Sequence, residues 1–175
     1  MATAPNPVNY QIPTGHAFFT PDTGPFTGQR RDLGNVVNFK ATMEANVKDH
    51  YRNYGGLRAK DDTRMTQAGA TMTGELDEIT GPNMSLFGLG DPITNSDGSY
   101  DIMAMSNTNF TGILEIVGDN DTGPRVDWIG KVLIVPDQSF NFMQDNDDYN
   151  KISFKASART HEVYGLGKFT VHEAS

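Results

Sequence analysis

The sequence predicts a mainly β protein, an antiparallel β-sandwich or partial barrel with one short α-helix and one long β-hairpin. Three observations lead there. Residues 35–47 and 66–78 alternate apolar and polar side chains with a period of two, the mark of strands with one buried and one wet face. Short strand-like runs then recur through the second half, as in a sandwich or barrel. The 18 Gly and 9 Pro are spread along the chain rather than clustered, as many turns require.

The elements follow in order. Residues 1–14 carry three prolines and little apolar pattern, and read as an arm without a fold of its own. Residues 15–175 read as one domain. HAFFT at 16–20 is a short strand, and 21–33 a Gly/Pro/Thr-rich loop holding Arg30 and Arg31. The first hairpin strand sets Val37, Phe39, Ala41, Met43, Ala45 and Val47 against Asn38, Lys40, Thr42, Glu44 and Asn46. The return strand opposes Ala68, Ala70, Met72 and Leu76 to Gln67, Thr71, Thr73, Glu75 and Asp77. A charged loop at about 48–65 joins them.

Thr80-Gly-Pro-Asn is a helix start, with Thr80 as the cap and Pro82 where a missing N–H costs nothing. Met84, Leu86 and Phe87 would face the sheet, and Gly88 and Gly90 would stop the helix after about two turns. Residues 91–99 read as a loop with an Asp97-Gly98 turn. Strands are expected at 100–106, 109–117, 126–135, 138–143, 151–159 and 168–172. The fourth-last, apolar on both faces, should be central. The expected apolar bed is Phe18, Val37, Phe39, Met43, Met72, Leu76, Phe87, Trp128, Val132, Ile134, Phe140, Phe142, Ile152 and Phe154.

Composition narrows function. The hydrophobic fraction of 37% is low, which suggests thin layers, long hairpins, or stability drawn from neighbouring subunits. A net charge of −8 argues against a broad nucleic-acid-binding surface, which needs clustered Lys and Arg. With no cysteine, disulfides, thiolate chemistry and Cys-based metal sites are excluded. The first residues lack a basic start and an apolar run, and no stretch approaches the roughly 18 apolar residues of a membrane span. A protein made and assembled in the cytoplasm is expected.

No enzyme is expected. His16, His50, His161 and His172 lack the spacing of a helical zinc site and sit in no catalytic motif. Asp119-Asn120-Asp121 and Asp145-Asn146-Asp147-Asp148 suggest calcium, but EF-hand spacing and its terminal Glu are missing, and Asx-rich turns explain both better. Gly88-Leu89-Gly90 and Gly165-Leu166-Gly167 read as turns or bulges rather than phosphate loops. No cofactor is implied. The hairpin loop mixes Arg52, Arg58, Lys60 and Arg64 with Asp49, Asp61 and Asp62 around Tyr51 and Tyr54. It is either a solvated flexible loop or a contact arm pairing with another copy of the chain.

LGNVVNFKATME, then the charged tip, then TMTGELDEITGPNMSLFGLG, resembles the tail tube (major tail) proteins of long-tailed bacteriophages, as does GILEIVGDNDTGPRVDWIGKVLIVPD. The resemblance covers roughly residues 15–171 and lies in order and spacing rather than in one motif. It implies a β-sandwich flanked by a helix, six subunits per ring, and rings stacked into a hollow conduit for genome ejection. The hairpin loop would bridge to the adjacent ring. Implied partners are the chain itself, a tape measure protein, tail tip and terminator proteins, and double-stranded DNA that passes without specific binding. The implied location is the virion tail, and the long hairpin and arm favour a flexible, non-contractile one.

A tube that passes DNA should present short polar groups and acids to phosphate. Thr42, Glu44, Asn46, Thr71, Thr73, Glu75 and Asp77 are therefore the expected lumen residues; the simpler alternative is that they face outer solvent. Lys40 and Lys48 run against the idea unless they lie at ring junctions or pair with Glu75 or Asp77. Competing expectations are another tube-like ring, such as a terminator, distal tail connector or secretion-tube protein, and a carbohydrate- or calcium-binding sandwich, for which Tyr149 is the one aromatic beside an Asp-rich turn.

Overall fold

The computed structural model describes residues 14–120, 123–135, 140 and 150–173. Its elements are β1 (Thr14–Pro21), β2 (Arg31–Asp32), β3 (Val36–Tyr54), β4 (Leu57–Leu76), α1 (Gly81–Gly88), β5 (Pro92–Thr94), β6 (Tyr100–Ile102), β7 (Thr111–Asp119), β8 (Arg125–Ile134), β9 (Ile152–Arg159) and β10 (Lys168–His172). The protein is mainly β, antiparallel and sandwich-like, with one helix among the described residues. The arm at 1–13, the strand at 138–143 apart from Phe140, the acidic run at 145–148, Phe142 and Tyr149 lie outside the described residues, as does Asp121.

One eight-stranded sheet runs β2-β1-β7-β8-β9-β4-β3, and β10 also pairs with β8. Its two end strands differ, so the sheet is open and not a closed barrel. β8 is central, as expected. One edge takes β7; the other takes β9 over Lys131–Ile134 and β10 over Arg125–Ile129. Ile152, Phe154 and Ala156 point inward from β9, as the alternation predicts. β5 and β6 form a separate two-stranded ribbon against α1.

The core lies under β1, β7, β8, β9 and the last residues of β4, where Phe19, Leu114, Val132, Met72, Leu76 and Ile152 are fully buried. α1 closes one end. Thr80 caps it, accepting a hydrogen bond from the Asn83 N–H at 3.2 Å. Leu86 is buried, and Met84 and Phe87 pack against the core, as predicted. The left-handed cap residue is Leu89 (φ 49°), not a glycine. That conformation costs a non-glycine residue about 1–2 kcal/mol; Leu89 is buried, and burying a Leu side chain offsets it.

Of the expected apolar bed, Met72, Leu76, Trp128, Val132, Ile134, Ile152 and Phe154 are buried, and Phe39, Phe87 and Phe140 pack against them. Three positions need correction. Phe18 faces away from the core, because β1 places Phe19 opposite Leu114. The Arg30 guanidinium stacks on the Phe18 ring at 3.4 Å instead. Val37 lies beside Glu75 on the wet face, because a bulge at Asn38 (φ 54°) offsets the ladder, so Val36 takes the core side. Met43 is 54% exposed, since no described element covers that part of the hairpin.

The expected loop at 48–65 is also corrected. β3 and β4 pair all the way to Tyr54 and Leu57, joined only by Gly55-Gly56. Both glycines have positive φ (57° and 82°), as a primed hairpin turn demands. The strand expected at 100–106 stops at Ile102, because the chain turns at Met105 (φ 61°). The expected loop at 91–99 contains β5, with the Asp97-Gly98 turn as predicted. Gly165 and Gly167 form a turn closed by the His161–Gly165 bridge.

Candidate assembly surfaces

From residue 40 to residue 61 every hairpin side chain is exposed. The hairpin has two unlike faces, and the register sorts them.

The wet face carries Thr42 opposite Thr71, Glu44 opposite Gly69 and Asn46 opposite Gln67. β9 extends the rows, with Ser157 beside Thr71, Lys155 beside Thr73 and Ser153 beside Glu75. Six of the seven expected lumen residues therefore share one face. Asp77 follows the end of β4, where it accepts a hydrogen bond from the Asn35 side chain. Thr71 donates to Glu44 at 3.1 Å and Asn46 donates to Gln67 at 2.6 Å. The charge is mixed rather than acidic: Lys40, Thr73 and Lys155 form one row. Glu75 pairs with Lys151 at 3.5 Å, not with Lys40 or Lys48.

The opposite face continues the core surface outward. Ala41, Met43, Ala45 and Val47 align with Met72, Ala70, Ala68 and Met65. The inner partners Met72 and Ala70 are buried, whereas Val47 and Met65 are each 64% exposed. This is an apolar surface in water, and such surfaces mark contact sites.

The charged residues of the arm pair largely among themselves. Lys60 meets Asp49 at 2.8 Å, His50 and Arg52 meet Asp61 at 2.6 and 3.8 Å, and Arg64 meets Asp62 at 2.6 Å. Thr63 adds a 2.8 Å bond to Asp49. The Lys60 side chain, then Thr63, hold the Asp49 carboxyl below its ordinary pKa. Two further bulges, at Asn46/Val47 and His50/Tyr51, twist the ribbon. Arg58 stacks on Tyr51 at 4.9 Å and makes no ion pair among the described residues. Tyr54 and Leu57 flank the turn, 76% and 75% exposed.

Two features were not anticipated from the sequence. At the helix end, the β5–β6 ribbon turns Ile93 and its partner Asp101 outward, while Tyr100 packs on Gly81. Met103 follows, 75% exposed. Asp97 at the ribbon turn is held below its ordinary pKa by the Ser99 hydroxyl and N–H. A usable signal existed: no Lys or Arg occurs from residue 65 to residue 124. The second feature is the lock at the other end, where Asp127 accepts from the Gly118 N–H at 3.0 Å and meets His172 at 2.8 Å. It ties β7, β8 and β10 together.

The enclosed hollows are modest. A cavity of about 230 Å³ between α1 and the sheet is lined mainly by apolar side chains such as Leu76, Leu86, Phe87 and Ile152, with Ser153 and Lys155 as its polar members. The lining supplies packing and no convergent reactive groups. Among the described residues no three His, Cys, Asp or Glu side chains come together as a metal site. No described helix is long and apolar enough to cross a membrane.

What the geometry defines is an open antiparallel sheet with a projecting two-stranded arm. No protein-family model matches the chain, and no curated protein matches it.

Proposed function

We propose that this chain is a structural subunit of a phage tail tube, forming hexameric rings that stack into a hollow conduit for DNA. The observation that supports it best is the hairpin: a nineteen-residue strand on the open edge of the sheet, continued by a two-stranded arm exposed on both faces. A free edge of that length invites pairing with another chain. The partly covered edge of β1, where β2 pairs only Phe18 and Phe19, offers a second free edge on the same sheet. Two unlike edges joined head to tail close a ring when the rotation permits. The arm leaves at one end of the sheet and the helix sits at the other, so stacking joins unlike surfaces and is open-ended.

In this reading the chain has no catalytic role and resides in the virion tail. A tape measure protein sets tube length, tip and terminator proteins bound it, and the wet face lines the lumen. Thr42, Thr71 and Ser157 then give a surface of short hydroxyls, with Glu44 as its exposed acid; the Thr73 hydroxyl is buried and does not reach that surface. The cations Lys40 and Lys155 would each slow DNA unless neutralised locally.

Negative-stain electron microscopy of the concentrated protein, with salt varied, tests the assembly. Stacked hollow rings are expected; a monomer at every salt and concentration, also in the presence of preformed tail tips, would sink the proposal. The lumen assignment has its own test. Glu44→Lys should leave folding intact and slow genome delivery by the assembled particle; an unchanged delivery rate refutes the assignment.

A further inference from the structure

We infer that the bulge at Asp61 is a charge shield. It sets two consecutive carboxylates on the wet face of the arm, so that duplex DNA passes the arm's cations without being held. This rests on the reading of the wet face as the lumen of a tube, and it names the residue that keeps that face from gripping phosphate.

Register places the groups. On the outer half of the arm Lys48 lies opposite Arg64, His50 opposite Asp62 and Arg52 opposite Ala59. Counting by twos along β3, these pairs continue the face of Thr42, Glu44 and Asn46. Asp49, Tyr51, Arg58, Lys60 and Thr63 lie on the other face. The wet face therefore gathers Lys48, Arg52 and Arg64 within one short stretch. Lys48 and Arg64 stand directly across the ladder, where like charges repel. Clustered cations of this kind are what duplex phosphate binds.

The ladder answers with an extra residue. His50 pairs with Asp62 and Tyr51 with Lys60, so Asp61 has no cross-strand partner of its own. A bulge sets two residues opposite one. The Asp61 carboxylate meets His50 at 2.6 Å and Arg52 at 3.8 Å, both on the wet face. Asp62 holds Arg64 at 2.6 Å on the same face. Strict alternation would send one of two adjacent acids to the far side; the bulge keeps both. Lys48 is then the one cation of this stretch without an ion pair among the described residues.

The arm also carries its own control. Thr66 is the extra residue of the neighbouring bulge, between the pairs Asn46–Gln67 and Val47–Met65. Its hydroxyl donates to the Asn46 carbonyl at 3.1 Å, and it adds no charge. Deleting either extra residue leaves the remaining arm residues on their present faces, because the flanking pairs then follow one another in a regular ladder.

Fluorescence anisotropy of a short labelled DNA duplex, at low salt and with the whole chain, tests the shield. Weak binding is expected of the unaltered chain, whose net charge is −8. Asp61→Asn, or deletion of Asp61, should raise the affinity about threefold. Asp61→Asn with Asp62→Asn should raise it about tenfold, and a fourfold rise in salt should erase that gain, as two added phosphate contacts require. Asp97→Asn with Asp101→Asn makes the same change in net charge at the helix end and should gain nothing. Deletion of Thr66 should gain nothing either. No gain from the Asp61 variants or the double variant overturns the shield, as does an equal gain from either control.

Particles carrying Asp61→Asn test the role in passage, and slower genome delivery is expected. Binding gained with delivery unchanged takes the arm out of the conduit and overturns that role. Microscopy of the unaltered chain reports on the tube separately. Tubes with no gain in DNA binding remove the shield alone; no tubes remove the conduit and the shield's role with it.

Discussion

The sheet body and the hairpin arm are built from the same kind of alternating strand, yet one buries its apolar side and the other does not. In the body, Leu114, Val132 and Phe154 are covered by the opposing strands and α1. On the arm, Met43, Val47 and Met65 continue the same surface with nothing described above them. Alternation therefore reports that a face is apolar; it does not report what covers it. For the body the cover is the rest of the chain. For the arm the proposed cover is another copy, which also accounts for a hydrophobic fraction of only 37%.

Matched truncations break or sharpen this contrast most directly. Leu114→Ala removes a fully buried side chain and should cost about 3–5 kcal/mol in urea unfolding of the unassembled chain. Met43→Ala removes as large a side chain from the exposed arm and should change that stability by less than about 0.5 kcal/mol. Its loss should appear in assembly instead. Equal costs for the two would mean that the arm is covered within its own chain.

A smaller effect is expected at Gly130. Its missing side chain leaves room for the Trp128 ring, which a Cβ would meet at 2.7 Å, and Gly167 closes on the same indole from β10's side. Gly130→Val overpacks that corner and should cost about 1–3 kcal/mol. Trp128 is the single tryptophan, so its fluorescence should report the change without interference. The matching change on the arm is Gly56→Ala. Its φ of 82° lies in the left-handed region, and the penalty of about 1–2 kcal/mol should be local. Amide exchange should rise around Tyr54 and Leu57 while the body's unfolding midpoint stays in place.

The same contrast explains what the residues disclosed in advance. Ile152, Phe154 and Ala156 read correctly because a strand with one covered face leaves its period in the sequence. Thr80-Gly-Pro-Asn read correctly because capping chemistry is local. The arm was misread as a loop because its charged residues conceal a ladder whose pairing is a property of two strands together. Gly55-Gly56 was the available sign of a tight turn. The swap of Phe18 for Phe19 turned on which of two adjacent aromatics meets β7, and that is decided by register, not by composition. Val37 was displaced by one bulge at Asn38. Of the candidate surfaces, the wet face was readable because it obeys the same period. The β5–β6 ribbon was not, because three-residue strands are too short to show one.

The smallest predicted effect concerns pH, and it sits on the arm. Asp49 lies on the exposed arm, and the Lys60 side chain and the Thr63 hydroxyl hold its carboxyl below the ordinary value of 3.8. A carboxyl whose pKa is lower in the folded state than in the unfolded one stabilises the fold above the unfolded value. That contribution fades as pH falls below about 3.9 and through the depressed folded value, where both states are protonated. Because the pair is in water, salt screens it and the change should remain confined to the hairpin. A carbon-detected NMR titration of the Asp49 carboxyl checks this. Lys60→Met should move its midpoint up toward the ordinary range, and Thr63→Val should move it less. Neither should alter the unfolding of the body. A shift in the body's stability with either variant would mean that arm and body are one cooperative unit, and the division between covered and uncovered strand would have to be redrawn.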